Sequence, residues 1–168
     1  CPRAEYSWCL FLRGGRIMLY GAYGANLNMR SMEVRCPKAK PILGFNLIGY
    51  RLVFNGVADI VKDKGAKVPI GLWKITKECE KSLDRFEGYP YLYKKMRLKI
   101  DVPGFKGQKV MLYYMRRKGI GIPSDAYYNS IHEGYKDFAL DTKFLSRASE
   151  EAYMYQDLNI NLARKVGS

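Results

Sequence analysis

The sequence has a single histidine, His132, and its four cysteines form no CxxC pair. Zinc sites and Cys-His nucleophiles need such ligands in suitable number and spacing, so neither metal nor thiol chemistry is expected. The irregular spacing of Cys1, Cys9, Cys36 and Cys79 also argues against a disulfide framework. A chain of 168 residues can bury a continuous core without one. We therefore expect a reducing, cytoplasmic location.

Long hydrophobic runs are also lacking. The apolar stretch from Tyr6 to Leu12 is shorter than a membrane span, and no small-residue cleavage site follows it. We expect neither a membrane anchor nor a signal peptide. Met18 opens the segment MLYGAY, which is typical of the start of a strand. We therefore expect translation to start there, with residues 1–17 a non-native or upstream-translated extension of little structure before a single domain of residues 18–168.

Negative charge is scarce, because 16 acidic residues stand against 29 basic ones and give a net charge of +13. A basic field attracts nucleic acid, anionic surfaces and acidic small substrates alike. Much of the charge lies between Lys94 and Lys118, where nine residues are basic and only Asp101 is acidic. Tyr93 immediately precedes this segment, and Tyr113 and Tyr114 lie within it. Such a segment can bind nucleic acid, but paired strands with a solvated lysine-rich outer face and an apolar inner face give the same pattern. We favour the solvated face.

Hydrophobic patterning indicates short strands followed by helices. The Asn55-Gly56 pair predicts a hairpin, and helices are expected from Thr76 to Glu87, after the N-cap Ser124, and from about Asp141 to Tyr155. No strand-helix-strand alternation occurs, so we predict an α+β fold, with the sheet curled towards a barrel and a helical C-terminal part. The predicted strands are Met18 to Tyr23, Leu43 to Phe54, Val57 to Val61, Val68 to Ile75, Leu92 to Val102 and Lys109 to Met115.

Two short segments are candidates for chemistry. The glycine-spaced turn GAYGANL, from Gly21 to Leu27, follows an apolar strand and can expose backbone N–H groups as an anion site, although such turns often have only a structural role. No Lys-Ser or Lys-Thr pair follows it, so it is not a nucleotide-binding loop. Glu87 lies at the negative end of a helix dipole beside aromatic residues, which tends to raise the pKa of a carboxyl group. An arbitrary glutamate at a helix end is more often a surface residue.

Six segments in order resemble the γ-glutamylcyclotransferase superfamily, the AIG2-like proteins, over residues 18 to about 145. They are YGANLN at Tyr23–Asn28, RCPKA at Arg35–Ala39, GYRLVFNG at Gly49–Gly56, LDRFEGYP at Leu83–Pro90, VMLYYM at Val110–Met115 and PSDAYYNSIHEGYKDFALD at Pro123–Asp141. The resemblance implies a small mixed β-barrel of about six to seven strands flanked by a few helices. It also implies cofactor-independent cleavage of a γ-glutamyl amide to 5-oxoproline and a free amine.

The resemblance assigns roles to individual residues. Glu87 corresponds to the catalytic general acid and base. The backbone N–H groups of the turn would bind the substrate carboxylate or an oxyanion. Ala25 departs from the family, which more often has serine there, so binding geometry or substrate choice differs at this point. The residues expected to contact substrate are Tyr23, Gly24, Ala25, Asn26, Leu27, Tyr93, Tyr113 and Tyr127, although each tyrosine can equally be a core residue.

Three functions remain open at this stage. The preferred one is a cyclotransferase acting on a small γ-glutamyl amine or peptide. The alternatives are a basic nucleic-acid-binding module, and an enzyme of the same fold that acts on an amide carried by nucleic acid. A carboxylate beside an anion site favours the enzyme, because a binding module does not need one. The leaving amine and the oligomeric state cannot be read from the sequence.

Overall fold

The computed structural model describes the backbone of residues 18–166 and the side chains of residues 18–161. The expectations about residues 1–17 therefore lie outside the described residues. Five strands and four helices follow one another, with a short 3₁₀ turn at Ala25–Leu27 after the first strand. In chain order they are β1 Met18–Ala22, α1 Met29–Arg35, β2 Lys40–Asn55, β3 Val57–Ile75, α2 Lys77–Phe86, β4 Tyr93–Lys99, β5 Lys109–Met115, α3 Asp125–Asp137 and α4 Lys143–Val166.

The fold is α+β, as predicted, and is built on one mixed sheet. Its strand order is β2-β3-β1-β5-β4, with β1 antiparallel to β3 and parallel to β5. The sheet has five strands in place of the six to seven expected, because the two segments predicted at Val57 to Val61 and Val68 to Ile75 form one strand, β3. Lys62 and Lys67 of β3 both pair with β2, and the residues between them bulge opposite Gly49.

The sheet curls towards a barrel without closing its ladder of backbone hydrogen bonds. Side chains bridge the gap between the first half of β3 and the far strands β4 and β5. The Tyr93 hydroxyl donates to the Ala58 carbonyl over 2.6 Å, and the Met115 N–H donates to Asp59 Oδ1 over 2.8 Å. Asp59 is 1% exposed, and its other oxygen lies 2.7 Å from Lys118 Nζ, so the buried carboxylate is fully paired. This curvature brings β3 and β4 to the same cavity.

The helices confirm most of the capping predicted from the sequence. Thr76 and Ser124 are the N-caps of α2 and α3, and their hydroxyl oxygens accept hydrogen bonds from the N–H groups of Cys79 and Tyr127. The last helix, α4, runs from Lys143 to Val166 and so extends well beyond the Tyr155 expected.

Helix α3 packs directly on the turn that follows β1. Gly134 makes this approach possible: a Cβ at this position would lie 2.6 Å from the backbone nitrogen of Asn28 and 2.5 Å from Leu27 Cβ. Leu27 is fully buried beneath α3. The glycine therefore sets the distance between α3, which carries Tyr127, and the turn, which carries Asn26.

The basic segment differs from the two-faced ribbon that its sequence predicts. Strand β5 lies between β1 and β4 and is buried on both faces, so the cations concentrate on the edge strand β4 and the loops that flank β5. Four of the nine cations have carboxylate partners. Three of them pair with carboxylates that are distant in sequence: Lys95 with Glu80 and Asp84, Arg97 with Glu80, and Lys118 with Asp59. The fourth, Lys106, pairs with the nearby Asp101.

Candidate active site

A small cavity lies where the turn after β1, the start of β3, the end of α2 and the first turn of α3 meet. Every predicted site residue except Leu27 lines it. The lining residues are Tyr20, Tyr23, Gly24, Ala25, Asn26, Ala58, Phe86, Glu87, Tyr93, Tyr113 and Tyr127. The chain thus brings together residues more than one hundred positions apart around a single carboxylate.

The carboxylate belongs to Glu87, the C-cap of α2. The residue's N–H donates to the Leu83 carbonyl over 2.8 Å, and Gly88, with φ of +61°, turns the chain away from the helix. Burial raises the pKa of Glu87 to about 7, against the opposing effects of the Arg35 cation and a hydrogen bond from Asn26. A carboxyl group with such a pKa exchanges protons readily near neutral pH.

Helix α2 is fixed in place by Asp84, one turn before Glu87. The Tyr113 hydroxyl donates to Asp84 Oδ1 over 2.6 Å, and Lys95 Nζ lies 2.7 Å from the same oxygen. Lys95 also bonds Glu80 over 2.6 Å. The end of α2 is thereby tied to both β4 and β5, and the position of Glu87 is set by these contacts.

The turn supplies fewer backbone donors than the sequence predicts. The Leu27 N–H donates to the Gly24 carbonyl over 2.9 Å, and the Leu27 side chain is buried in the core. Leu27 is therefore not placed to contact a ligand, because the 3₁₀ hydrogen bond uses its N–H group. Gly24 keeps the cavity open, since a Cβ there would lie 3.0 Å from Ala58 Cβ and 3.3 Å from the Tyr127 hydroxyl.

Asn26 takes part through its side chain, whereas the sequence drew attention only to its backbone. Its Nδ2 donates to Glu87 Oε1 over 2.8 Å and to the Tyr20 hydroxyl over 2.9 Å. Its Oδ1 accepts from Arg35 Nη1 over 2.8 Å. Asn26 is 2% exposed, and these partners fix which end of the amide faces Glu87.

The hydroxyl groups of the tyrosines divide into two classes. Those of Tyr23, Tyr93 and Tyr113 donate to the Tyr113 carbonyl, the Ala58 carbonyl and Asp84 respectively. The Tyr127 hydroxyl instead accepts from the Ala58 N–H over 3.0 Å. Burial raises the pKa of Tyr127 to about 12, although backbone hydrogen bonds from Ala58 and Ala25 oppose the effect.

Among the tyrosine hydroxyls that line the cavity, only two are free to donate a hydrogen bond to a ligand. The hydroxyls of Tyr127 and Tyr20 accept hydrogen bonds, and neither donates to a protein acceptor within the described part of the chain. A buried hydroxyl that accepts without donating keeps its proton for a ligand. Tyr127 and Tyr20 are therefore the hydroxyl donors that this cavity offers.

Four residues of the site were not found by sequence reasoning: Tyr20, Arg35, Ala58 and Phe86. Tyr20 lies on a central strand with both faces buried, so no alternation distinguishes it from its neighbours. Phe86 was noted only as an aromatic neighbour of Glu87, and Arg35 only as part of a segment. Their proximity to the cavity depends on how α1 and α2 pack, which no local pattern reports.

Two cysteines, Cys36 and Cys79, lie within the described residues. Cys36 and Cys79 are both buried, and burial raises the pKa of the Cys36 thiol to about 12, so it carries little thiolate. Between residues 18 and 161, no group of three or more histidine, cysteine, aspartate or glutamate side chains is arranged to hold a metal ion.

No helix in the described part of the chain has the length and apolarity needed to cross a membrane.

A partly buried carboxylate with a near-neutral pKa, set among tyrosines on a curled mixed sheet, defines a cavity suited to proton transfer. The family model described as "Gamma-glutamyl cyclotransferase, AIG2-like" matches residues 20–135 of the chain. The chain belongs to this family, as its sequence segments predicted. None of the curated proteins compared with the chain matches it.

Solved structures show the same fold. A structure described as a gamma-glutamyl cyclotransferase is 25% identical, with a TM-score of 0.70 over 79% of this chain and 86% of that one. A human protein described as uncharacterized is 24% identical, with a TM-score of 0.69 over 80% and 87% of the two chains. YkqA from Bacillus subtilis is 20% identical, with a TM-score of 0.63 over 86% of this chain and 57% of its own. At 24% and 20% identity, the likeness to the human and Bacillus subtilis proteins shows only that the fold is shared.

Proposed function

We propose that the protein is a γ-glutamylcyclotransferase that converts a γ-glutamyl amide into 5-oxoproline and a free amine, with Glu87 as general base and general acid. The observation that carries this proposal is the Glu87 carboxylate, held by Asn26 in a tyrosine-lined cavity with a pKa of about 7. A group that is partly ionised at neutral pH can take a proton in one step and return it in the next.

The reaction balances without water or any other reactant. The α-amino nitrogen of the substrate attacks the γ-carbonyl carbon, a new C–N bond closes the five-membered ring, and the original amide C–N bond breaks. The α-ammonium loses two protons in becoming the lactam N–H, and the leaving nitrogen gains two in becoming an ammonium group. In this proposal the Glu87 carboxylate relays these protons, one at a time, from one nitrogen to the other.

The remaining cavity groups suit the charge that develops on the substrate. Addition to the carbonyl places negative charge on its oxygen, which hydrogen-bond donors stabilise. The Tyr127 hydroxyl, in the cavity that Glu87 also lines, offers such a donor. The oxygens of Tyr23, Tyr93 and Tyr113, whose protons are committed elsewhere, can only accept, and so suit the substrate ammonium.

The cavity is small. The space that the centre of a water-sized sphere can occupy within it is about 30 Å³. Phe86 forms part of the rim of the cavity and is 47% exposed, so this side of the cavity faces solvent. We therefore place the entrance at Phe86, with the γ-glutamyl group reaching inward to Glu87.

The test is to incubate the protein with γ-glutamyl amines, γ-glutamyl dipeptides and γ-glutamyl-lysine and to measure 5-oxoproline. We expect product from at least one of them, and a rate about 10²- to 10⁴-fold lower for Glu87→Gln. Glu150→Gln, which changes an exposed glutamate on α4, is the matched control and should retain full activity. Absence of product from every substrate would reject the reaction, and a fully active Glu87→Gln protein would reject the role of Glu87.

A further inference from the structure

Arg35, the last residue of α1, lies beside the cavity in an unusual setting for an arginine. Its guanidinium carbon is 3.7 Å from the centroid of the Phe86 ring, so the planar group is stacked on the rim of the cavity. Its Nη1 donates to Asn26 Oδ1 over 2.8 Å and reaches the Ala25 carbonyl at 3.5 Å. Arg35 is half-buried, and its contacts with Ala25 and Asn26 hold its side chain against the turn that follows β1.

The guanidinium has donors that the described residues leave unused. All its hydrogen bonds run through Nη1, whereas Nη2 and Nε carry three further N–H groups. Within residues 18–161, no carboxylate approaches the guanidinium to 4.0 Å. A partly buried cation with a fixed plane and free parallel N–H groups is suited to bidentate binding of a carboxylate.

Arg35 and Glu87 stand on either side of Asn26, which bonds both of them. Each influences the other electrostatically without forming an ion pair. An anionic group and a cationic group separated by a neutral amide complement the ammonium and carboxylate of an amino acid. A substrate bound across Asn26 would have its ammonium at Glu87 and a carboxylate at Arg35.

We propose that Arg35 binds a carboxylate of the substrate through Nη2 and Nε and thereby restricts the site to substrates that carry one. The assignment rests on the proposed function, and it makes Arg35 a specificity-determining residue. The carboxylate can belong to the glutamyl group itself or to a leaving amino acid. The position of Arg35 across Asn26 from Glu87 favours the glutamyl α-carboxylate.

Three substrates separate these sources when release of the amine is measured. A γ-glutamyl alkylamine has only the α-carboxylate, its α-carboxamide derivative has none, and a γ-glutamyl amino acid has two. For the wild type we expect kcat/KM to favour the alkylamine substrate over the carboxamide by about 10- to 100-fold, the range for a hydrogen-bonded charge pair. In Arg35→Gln this preference should largely disappear, mainly because KM for the alkylamine substrate rises.

If Arg35 instead binds the leaving group, the Arg35→Gln protein keeps the α-carboxylate preference and loses the preference for the γ-glutamyl amino acid over the alkylamine. Arg35→Lys, which keeps the charge without the planar fork, should fall between the wild type and Arg35→Gln. Arg30→Gln, an exposed arginine on the same helix, should leave every preference unchanged. An Arg35→Gln protein with both wild-type preferences would overturn the assignment.

A binding measurement separates this inference from the proposed reaction. Calorimetric titration with 5-oxoproline, which carries the α-carboxylate, should show at least tenfold weaker binding to Arg35→Gln than to the wild type and to Arg30→Gln. Thermal unfolding of each variant checks that it is folded. If the wild type binds 5-oxoproline through Arg35 but releases no amine from any substrate, only the reaction is rejected. Equal affinity in wild type and Arg35→Gln rejects the α-carboxylate assignment, and a wild type that neither binds 5-oxoproline nor releases amine rejects both proposals.

Discussion

The side-chain amide of Asn26 donates a hydrogen bond of 2.8 Å to Glu87 across 61 residues of sequence. This contact joins the turn after β1 to the end of α2. It also acts on the chemistry, since it favours the ionised form of a carboxyl group that burial pushes towards the neutral form. The turn thus contributes to the site in two ways: it lines the cavity, and it lowers the pKa of Glu87 through Asn26.

Replacing Asn26 with alanine should raise the pKa of Glu87 above its present value of about 7, because the variant loses a hydrogen bond to the ionised form. The acid limb of the profile of kcat/KM against pH should move upward, so that activity falls more at pH 6.5 than at pH 8.5. The pH profile of Asn129→Ala, at an exposed position of α3, should match that of the wild type. An unmoved acid limb in Asn26→Ala would show that this contact does not tune Glu87.

Glu87→Gln should stabilise the protein at neutral and alkaline pH. The pKa of Glu87 is about 7 in the folded protein and near 4.5 in the unfolded chain, so the stability that the protonated group contributes is complete below about pH 4.5 and is lost as pH rises through 7. Because glutamine does not titrate, the variant should exceed the wild type by roughly 2–3 kcal/mol in unfolding free energy at pH 8, and by little at pH 4.5. Denaturant unfolding at both pH values measures this difference, and a pH-independent difference would contradict it.

Tyr127→Phe and Tyr23→Phe should have different consequences, although both remove one buried hydroxyl. Tyr127 retains a proton for a ligand, so its loss should lower kcat/KM by about 10- to 100-fold. Tyr23 donates to the Tyr113 carbonyl and can only accept from a ligand, so its loss should lower kcat/KM less and should appear chiefly as a stability decrease of about 1 kcal/mol. Kinetics and thermal unfolding of both variants test this contrast. Equal effects of the two substitutions on kcat/KM would remove the distinction between the hydroxyls.

Gly134→Ala should disturb both the fold and the site. The added methyl group would lie 2.6 Å from the backbone of Asn28, which cannot move as a flexible side chain can, so α3 must shift away from the turn. We expect a loss of about 1–3 kcal/mol in unfolding free energy and a decrease in activity, because Tyr127 moves with α3. Asn129→Ala, which adds no contact on the exposed side of the same helix, is the control. Wild-type stability and activity in Gly134→Ala would show that α3 is not held by this contact.

The basic residues from Lys94 to Lys118 raise the question whether the protein binds nucleic acid. Four of the nine cations have carboxylate partners, which weakens the attraction of the segment for phosphates. We therefore expect turnover of a free γ-glutamyl substrate to vary little between 50 and 200 mM salt, and binding to single-stranded nucleic acid to be weak. Tight binding that falls steeply with salt would favour the nucleic-acid alternative.

The sequence by itself determined the strands, the helix caps and the helix end that bears Glu87, because hydrophobic spacing and cap residues act over a few neighbouring positions. The turn at Gly24 and the carboxylate could both be recognised in this way, and the ordered segments indicated their family. Even here, the sequence divided the continuous strand β3 in two, because the polar residues from Lys62 to Gly65 are typical of a turn. The pairing of Lys62 and Lys67 with β2, on either side of the bulge, keeps the strand continuous.

Only the tertiary structure decided which groups act on one another. The bond between Asn26 and Glu87, the stacking of Arg35 on Phe86 and the carboxylate partners of Lys95 depend on how separate elements pack. The same is true of the tyrosine hydroxyls, whose partners decide whether each can donate or accept. No local pattern carries this information, because hydrogen bonds and electrostatic effects depend on distances between side chains that the fold alone brings together.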